Sequence, residues 1–378
     1  MINDNVTRIA QEAIDGDTRD VAAGTQSAST LTSLLQRFVP AHFNSIIGLS
    51  WRLLRKGESA GRMAMLYSMA GLLLTPLDLC LQMAERRYLR EAAPPRLPIL
   101  FVCGAPRSGT TLAAQVLIKH LPVNYLSNVT SLFPRSPVTA LRLFGRSDTS
   151  PKSGIGYSSF YGRTSGLADP NDALYLWDRW AGWDRQVIPE SISPAARRNM
   201  ISFFGAVEEL SGLPLLNKNN ALNTFAHLVA DVLSTARFVC LDRDPLYLAQ
   251  SLYAARTFIH GDERVSYGIR GSSPVPEDPI EDVCRQVLFH QRRIRLEQDT
   301  IGGDRFLILP YEDFCRRPGH WVALIARRFL GRSVDLDSLD SELPPFNSAN
   351  RRKVDEQTFG SIQERLQRLN AANRNISP

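Results

Sequence analysis

Residues 104–111 read GAPRSGTT, and this run of glycine and hydroxyl side chains has the composition of an anion-binding loop. It follows the short apolar run 98–103, which is typical of a buried parallel strand. It also opens the segment 110–120, whose apolar residues recur at helical spacing. Gly104 and Gly109 allow a tight backbone turn, so that amides at a helix N-terminus can face an anion. The segment therefore predicts a loop that cradles a phosphate or sulfate group.

The loop departs at one position from the pattern G-x-x-x-x-G-K-[ST] of proteins that bind nucleoside triphosphates. Gly104, Gly109 and Thr111 match that pattern, but Thr110 stands where its lysine should be. That lysine neutralises the β- and γ-phosphates of a triphosphate. The loop instead carries Arg107 ahead of its second glycine, and this exchange favours a smaller anionic load.

A second candidate anion site follows the apolar run 236–241, which also predicts a buried strand. Arg243 and Ser251 occur there in the pattern R-x-P-x5-S. A guanidinium gives bidentate hydrogen bonds to a phosphate, and a serine hydroxyl can complete the clamp. In an alternative interpretation the run ends on a Mg²⁺-binding carboxylate, Asp242, but this leaves the missing lysine unexplained.

Together the two motifs resemble those of the sulfotransferases that use 3′-phosphoadenosine 5′-phosphosulfate (PAPS), in particular the bacterial branch of that family. Residues 106–111, PRSGTT, match its P-[KR]-S-G-T-T loop, and Arg243 with Ser251 match its 3′-phosphate site. Residues 309–318, LPYEDFCRRP, are similar to a third family segment whose role there is structural. The resemblance extends over residues 98–331.

The resemblance implies a donor site built from these motifs and closed by a late basic loop. Residues 347–353, NSANRRK, could form that loop, and a solvated run of charges is the alternative. The implied contacts to PAPS and to its product 3′-phosphoadenosine 5′-phosphate (PAP) are Arg107, Ser108, Gly109, Thr110, Thr111, Leu112, Arg243, Ser251, Arg351 and Arg352.

The resemblance also implies two cationic catalytic residues. Arg107 and Lys218 would stabilise the negative charge that develops near the leaving oxygen during sulfuryl transfer. Lys218 precedes Arg243 by about the separation that the family's catalytic lysine has. A solvated surface charge is the alternative for Lys218.

The general base is less clearly indicated. Asn220 stands where the family's cytosolic branch has a histidine, and an amide cannot take up a proton at neutral pH. Asp169 and Asp172 are the best remaining candidates among the carboxylates, and we select Asp172 as the catalytic base, with a helix N-cap as the alternative role. His227 lies beside an apolar helical stripe and is interpreted as a core histidine.

The elements that must position these residues alternate between strand and helix. Besides the two strands already given, residues 306–309 predict a third, while residues 221–234 and 321–331 predict helices. The alternation predicts an α/β fold in which helices flank a parallel sheet. The resemblance implies that this is the P-loop-like fold of the sulfotransferases.

A helical extension precedes the predicted catalytic domain. We assign residues 1–30 to a polar, loosely ordered N-terminus, residues 31–95 to an apolar and basic helical extension, and residues 96–378 to the sulfotransferase domain. Pro76 and Asp78 interrupt the most apolar part of the extension. Three interpretations stay open: a helical hairpin packed on the main domain, an element on a membrane surface, and a transmembrane helix.

Composition limits the functional classes. The 378 residues carry 44 lysines and arginines against 38 acids, a net charge of +6, which suits an anionic ligand. Neither the five scattered cysteines nor the six histidines have metal-ligand spacing, so we expect reduced thiols, a cytoplasmic location and no metal. The N-terminal residues contain acids and no apolar core, unlike a signal peptide.

We therefore expect a metal-independent PAPS sulfotransferase whose acceptor is a hydroxyl of a carbohydrate, a glycolipid or a natural product. Contact with a membrane surface through residues 31–93, at the inner membrane face, stays open, and nucleic acid is not an expected partner. The alternative functions are a nucleotide or small-molecule kinase and a non-catalytic, membrane-associated PAP-binding protein. The aromatic segment 175–183, YLWDRWAGW, either stacks on a sugar ring or belongs to the core.

Overall fold

The computed structural model describes residues 59–145, 155–157, 159, 161–182, 185–271 and 274–374. Residues 1–58, which include the polar N-terminus and the first part of the extension, lie outside the described residues, as does Trp183 of the aromatic segment. No helix in the described ranges combines the length and the apolar character needed to cross a membrane.

A parallel sheet of five strands forms the centre of the protein and confirms the predicted α/β class. The strand order is β2-β3-β1-β4-β5. The strands are β1 Ile99–Gly104, β2 Asn124–Tyr125, β3 Leu215–Lys218, β4 Ala236–Asp242 and β5 Phe306–Pro310. The sequence pattern does not predict β2 and β3, because β2 is two residues long and β3 has only two apolar residues.

Strand β1 lies between β3, which ends at Lys218, and β4, which ends directly before Arg243. Val102 of β1 pairs with Lys218 of β3, and Gly104 pairs with Leu241 of β4. Since all three strands run in the same direction, their carboxyl ends meet at one edge, where α/β sheets bind ligands. The loop after β1 therefore lies between Lys218 on one side and Arg243 on the other.

Helices connect the strands and cover both faces of the sheet. The predicted helix over 110–120 is confirmed, while the predicted helix over 221–234 is divided between a 3₁₀ turn at Asn220–Asn223 and a shorter α-helix. The helices are α1 Ser59–Leu73, α2 Thr75–Glu91, α3 Thr110–His120, α4 Pro137–Phe144, α5 Leu174–Ala181, α6 Pro194–Ser211, α7 Ala226–Val232, α8 Pro245–His260, α9 Pro279–Ile301, α10 Tyr311–Arg316, α11 Pro318–Leu330, α12 Leu336–Glu342 and α13 Glu356–Arg374.

An aromatic core lies on one face of the sheet. The rings of Phe101 and Phe238 stack with centroids 5.4 Å apart, and Trp177 meets Phe101 edge-on at 5.7 Å. Trp177 and Trp180 are 4% and 3% exposed, so these members of the aromatic segment belong to the core and do not form a platform for a sugar. The Trp177 indole donates to Oδ1 of Asn217 at 3.0 Å, and this bond fixes the strand residue that precedes Lys218.

The last part of the extension forms two consecutive helices, α1 and α2, while the first arm of the hairpin interpretation lies outside the described residues. Helical hydrogen bonds continue through Leu74, which joins α1 to α2, and Pro76 lies in the first turn of α2. A proline has no amide hydrogen to donate, so one bond of the helical pattern is missing at Pro76. Glu85 of α2 accepts hydrogen bonds from the backbone amides of Val138 and Thr139, which attaches the extension to the first turn of α4.

Candidate active site

The loop after β1 adopts the backbone that its glycines predict. Gly104 and Gly109 have φ angles of 145° and 100°, and Arg107 has a φ of 74° although it is not a glycine. A side chain at Gly109 is also excluded by space, because a Cβ atom would lie 2.4 Å from the ring of Tyr311. Left-handed backbone at an arginine costs on the order of 1 kcal/mol, so this loop shape is maintained by its surroundings.

Two features of the loop fit an anion. Helix α3 begins directly after Gly109, which provides no side-chain cap, so the amides of its first turn are available to a ligand. The Ser108 hydroxyl is fully buried and finds no hydrogen-bond partner within the described residues. An unpaired buried hydroxyl is costly, and an anion in the loop would satisfy it.

Arg107 connects the two motifs that the sequence indicates. Its Nε atom lies 3.4 Å from Oγ of Ser251, on α8. The face of its guanidinium lies over the ring of Tyr161, with the carbon 4.7 Å from the ring centroid. Tyr161 in turn stacks on Phe258 with centroids 5.1 Å apart. The guanidinium is therefore fixed between the loop, α8 and the segment that contains Tyr161.

Arg243 is buried at the end of β4, and the C-terminal segment closes over it. Its guanidinium donates to Oδ1 of Asn350 at 2.8 Å, to the carbonyl of Ala349 at 3.1 Å and to the carbonyl of Arg107 at 2.8 Å. The carbon of the guanidinium lies 4.9 Å from the centroid of the Tyr311 ring. Burial lowers the pKa of Arg243 from its ordinary value.

The late basic segment contributes an excess of positive charge beside Arg243. Burial, followed by the charges of Arg107, Arg243 and Arg351, lowers the pKa of Lys353. Repulsion among cations of this kind is relieved when an anion binds between them. Arg352 has a different environment, since its guanidinium lies 3.7 Å from the carboxylate of Glu356.

Lys218 and Asp172 form an ion pair on the opposite side of the loop. The Lys218 Nζ atom is 2.6 Å from Oδ1 of Asp172, and their side chains are 4% and 25% exposed. A Cβ atom on Gly162 would lie 3.7 Å from Oγ1 of Thr111 and 4.0 Å from the Lys218 ammonium. The pair therefore lies beside the first turn of α3, and the Asp172 side chain is partly exposed to solvent.

The N-cap alternative for Asp172 is wrong. The N-cap residue of α5 is Ala173, whose φ angle is 49° and which offers no side-chain cap. Asn171 accepts the Ala173 amide, while Asp169 accepts the amide of Gly166 at 2.8 Å within its own turn. Asp172 is therefore the carboxylate of this segment that faces Lys218.

Asn220 and His227, the other residues weighed as bases, have structural partners. Asn220 accepts a hydrogen bond from the Thr110 hydroxyl at 2.7 Å, which ties the 3₁₀ turn after β3 to the loop. His227 lies 2.9 Å from a carboxylate oxygen of Glu297, and its side chain is 37% exposed. The interpretation of His227 as a core histidine is wrong, because it forms a half-exposed pair with Glu297.

A buried polar network supports the loop from behind. The segment 266–271 packs against the loop so closely that a Cβ atom on Gly268 would lie 2.6 Å from Pro106. Gln286 and His290, both on α9, hydrogen-bond to the carbonyl of Ile269 at 2.8 Å and 2.9 Å. The network therefore determines where Pro106, and with it the phosphate-binding loop, can lie.

The described residues contain no group of three or more histidine, cysteine, aspartate or glutamate side chains arranged to hold a metal ion.

Comparison with known proteins agrees with this geometry. Residues 98–335 match the sulfotransferase family. The chain belongs to the sulfotransferase family. The fold of this sulfotransferase is similar to that of sulfotransferase STF1 from Mycobacterium tuberculosis H37Rv, with a TM-score of 0.52, 14% identity, and coverage of 88% of this chain and 89% of that one. Sulfotransferase STF9 from Mycobacterium avium has a TM-score of 0.49 at 14% identity, with 89% of each chain covered. No curated protein sequence matches the chain.

Sequence reasoning about this sulfotransferase missed Tyr161 and named Asn350 and Lys353 only as members of the segment 347–353. Tyr161, Asn350 and Lys353 contact or influence Arg107 or Arg243, yet each lies far from them in the chain. The only signal for Asn350 and Lys353 was the charge of the late basic segment, and Tyr161 lies in a stretch without periodicity.

Proposed function

We propose that the protein transfers the sulfuryl group of PAPS to a hydroxyl of a carbohydrate, a lipid-linked molecule or another small natural product. The observation that carries this proposal is the Arg107–Ser251 contact of 3.4 Å, because it joins the loop to the helix that follows Arg243. A donor with phosphate groups at both ends of one nucleoside needs two linked anion sites of this kind.

The charges around the loop support a donor with several negative groups. Burial, and after it the charges of Arg107, Arg243 and Arg351, lower the pKa of Lys353, so several cations lie together on this side of the loop. Asn350 and Ala349 fix the orientation of the Arg243 guanidinium. We assign the 3′-phosphate to Arg243 and Ser251, and the phosphosulfate to the loop amides, Ser108 and Thr111.

The reaction is an in-line displacement at sulfur. The acceptor oxygen forms a bond to sulfur while the bond from sulfur to the 5′-phosphate oxygen breaks, and PAP leaves with the electron pair. Lys218 and the loop amides stabilise the charge on the leaving oxygen, and Asp172 takes the proton of the attacking hydroxyl. The Asp172 side chain is 25% exposed, which gives the acceptor access to the base.

We place this activity in the cytoplasm. All five cysteines are free thiols, and Cys103 lies directly beside Cys240 on the neighbouring strand. Buried neighbouring thiols that remain unlinked are typical of a reducing compartment. An inner-face membrane location, with an acceptor linked to lipid, is compatible with the same compartment.

A ligand panel tests the donor assignment. PAP, 5′-AMP and Mg-ATP are each added to the purified full chain, and the melting temperature is followed. PAP at a hundredfold excess over its dissociation constant should stabilise the folded state by about 2.7 kcal/mol, with a smaller effect of 5′-AMP, which lacks the 3′-phosphate. Melting that PAP does not change contradicts the proposal, and stabilisation by Mg-ATP alone favours a kinase.

Transfer itself needs a second measurement, because binding of PAP does not separate an enzyme from a PAP-binding protein. Sulfur-labelled PAPS is incubated with the protein and a cell extract, and the labelled product is isolated. A labelled hydroxyl compound that depends on the protein establishes transfer and identifies the acceptor. Binding of PAP without any labelled product favours the non-catalytic alternative.

A further inference from the structure

Helices α1 and α2 expose large apolar side chains to solvent, and α2 buries acidic ones. The acids Asp78 and Glu85 are 1% and 3% exposed, whereas Leu73 and Met83 are 81% and 79% exposed. A helix on the surface of a globular protein normally buries its apolar side chains and exposes its charges. The apolar face of this helix pair therefore has a function other than packing on the domain that carries it.

The buried acids explain why the apolar face points outward. Asp78 accepts from the Ser136 hydroxyl at 2.6 Å, and Glu85 accepts from the hydroxyl of Thr139 at 2.9 Å as well as from backbone amides of α4. Charge-assisted bonds of this kind are strong when buried. Rotation of α2 that hid its leucines would break all of them, so the orientation is fixed.

The exposed apolar side chains are concentrated on these helices. Seven of the fourteen exposed large hydrophobic side chains in the described part of the chain belong to α1 and α2. They recur three or four residues apart through Leu66, Met69 and Leu73 on α1 to Leu77 on α2, and Leu79 and Met83 of α2 are again four residues apart. We call this set the outer apolar face. Concentrated apolar surface on one face is typical of an interaction site.

The net charge around the outer apolar face is positive. The exposed ionisable side chains of α1 and α2 are Arg62, Arg86, Arg87 and Arg90 against the single acid Glu91, since the other two acids of these helices are buried. An apolar face bordered by arginines is complementary to a bilayer that contains anionic lipids.

The charge pattern also favours an anionic lipid surface over the adjacent part of the chain as the partner of the outer apolar face. Residues 31–57 are apolar and basic, with Arg37, Arg52, Arg55 and Lys56 and no acid. A segment of that charge would repel the arginines around the outer apolar face, whereas both attract the same anionic surface.

We propose that the outer apolar face binds an anionic lipid surface. The face is connected to the acceptor side of the site, because the Tyr67 hydroxyl of α1 donates to the carbonyl of Ser165 in the segment that leads to Asp172. Docking through α1 and α2 therefore holds the acceptor side of the site near the lipid headgroups. This surface does not depend on the identity of the sulfuryl donor.

Vesicle flotation of the full chain tests the proposal. The protein should float with vesicles of phosphatidylcholine and phosphatidylglycerol, less with phosphatidylcholine alone, and less at high salt. The double variant Leu73→Glu/Met83→Glu should lower partitioning at least about tenfold. Arg86→Gln and Arg87→Gln should each lower it about fivefold on anionic vesicles alone.

The matched control is Leu296→Glu, at a side chain of α9 that is 50% exposed and far from these helices in the chain. It should float as the unmodified protein does. The proposal is overturned if the unmodified protein stays with the soluble fraction, or if the double variant floats equally well. It is also overturned if sedimentation shows a dimer that the double variant dissociates, since the occupant is then a second copy of the chain. Flotation requires no turnover, so failure of the donor assignment leaves this test intact.

Discussion

The Lys218 ammonium and the Asp172 carboxylate lie 2.6 Å apart, so the two residues expected to handle charge and proton are partners before any substrate binds. The pair lets Lys218 be buried at the end of β3, because a buried ammonium without a counterion would be costly. An acceptor hydroxyl that approaches Asp172 must share the carboxylate with Lys218.

Asp172→Asn should lower the rate of sulfuryl transfer by about 10²–10⁴-fold, the usual contribution of a general base. The affinity for PAP should change little, because Asp172 lies on the acceptor side. Rates from single-turnover assays and PAP affinities from calorimetry check the two parts. Asp169→Asn is the control, since Asp169 accepts the Gly166 amide and does not face Lys218. Unchanged turnover in Asp172→Asn removes the base assignment.

Arg243→Ala should weaken PAP binding by about 10–150-fold, since hydrogen bonds to charged groups contribute about 1.5–3 kcal/mol. The binding of 5′-AMP should change much less, because it has no 3′-phosphate. Titration calorimetry with both nucleotides measures the difference, with Arg327→Ala on the exposed side of α11 as the control. Equal losses for PAP and 5′-AMP would contradict the 3′-phosphate assignment.

Tyr161→Ala should raise the KM for the donor by about 2–30-fold, because a cation–π contact of about 0.5–2 kcal/mol orients Arg107. Tyr161→Phe keeps the ring and should behave like the unmodified protein. Because Tyr161 acts through Arg107, kcat at saturating donor should fall less than kcat/KM. A Tyr161→Phe variant as impaired as Tyr161→Ala would assign the effect to the hydroxyl and not to the ring.

The network behind the loop should make stability depend on pH. His290 donates from Nε2 to the Ile269 carbonyl and accepts at Nδ1 from the Asn223 amide, which requires a neutral ring. Burial lowers its pKa from 6.5 to about 4. Below pH 6.5 the unfolded chain therefore takes up a proton at His290 that the folded protein does not. The free energy of unfolding consequently decreases as the pH falls toward 4.

The free energy of unfolding should decrease by about 3 kcal/mol in total, at up to about 1.4 kcal/mol per pH unit. Urea unfolding at a series of pH values measures it. His290→Gln should remove this slope, and His320→Gln, at an exposed position, should leave it unchanged. An NMR titration of the unmodified protein in which His290 protonates near its ordinary pKa would contradict the prediction.

The features of the site that neighbouring residues encode could be predicted from the sequence. The features that depend on contacts between distant residues could not. The strand, loop and helix around residues 104–111 were predictable, because the glycines and the apolar spacing act over a few residues. The pairing of Asp172 with Lys218 depends on the position of the segment before α5 against β3, where the Asn217 amide donates to the Asp172 carbonyl, and the short and polar β3 did not indicate it. The contact of Asn350 with Arg243 joins residues 107 positions apart, and no local pattern encodes it.

The hydrogen bonds of Arg243 have a consequence for selectivity. Its guanidinium already donates to Asn350, Ala349 and the Arg107 carbonyl, so an arriving phosphate exchanges with neutral oxygen atoms of the protein. The net gain is the difference between a charged and a neutral acceptor, which is small for a weakly charged ligand and large for a dianion. The C-terminal segment thus favours dianions at this position, because a nucleoside without a phosphate there brings no charged acceptor to exchange for the neutral ones.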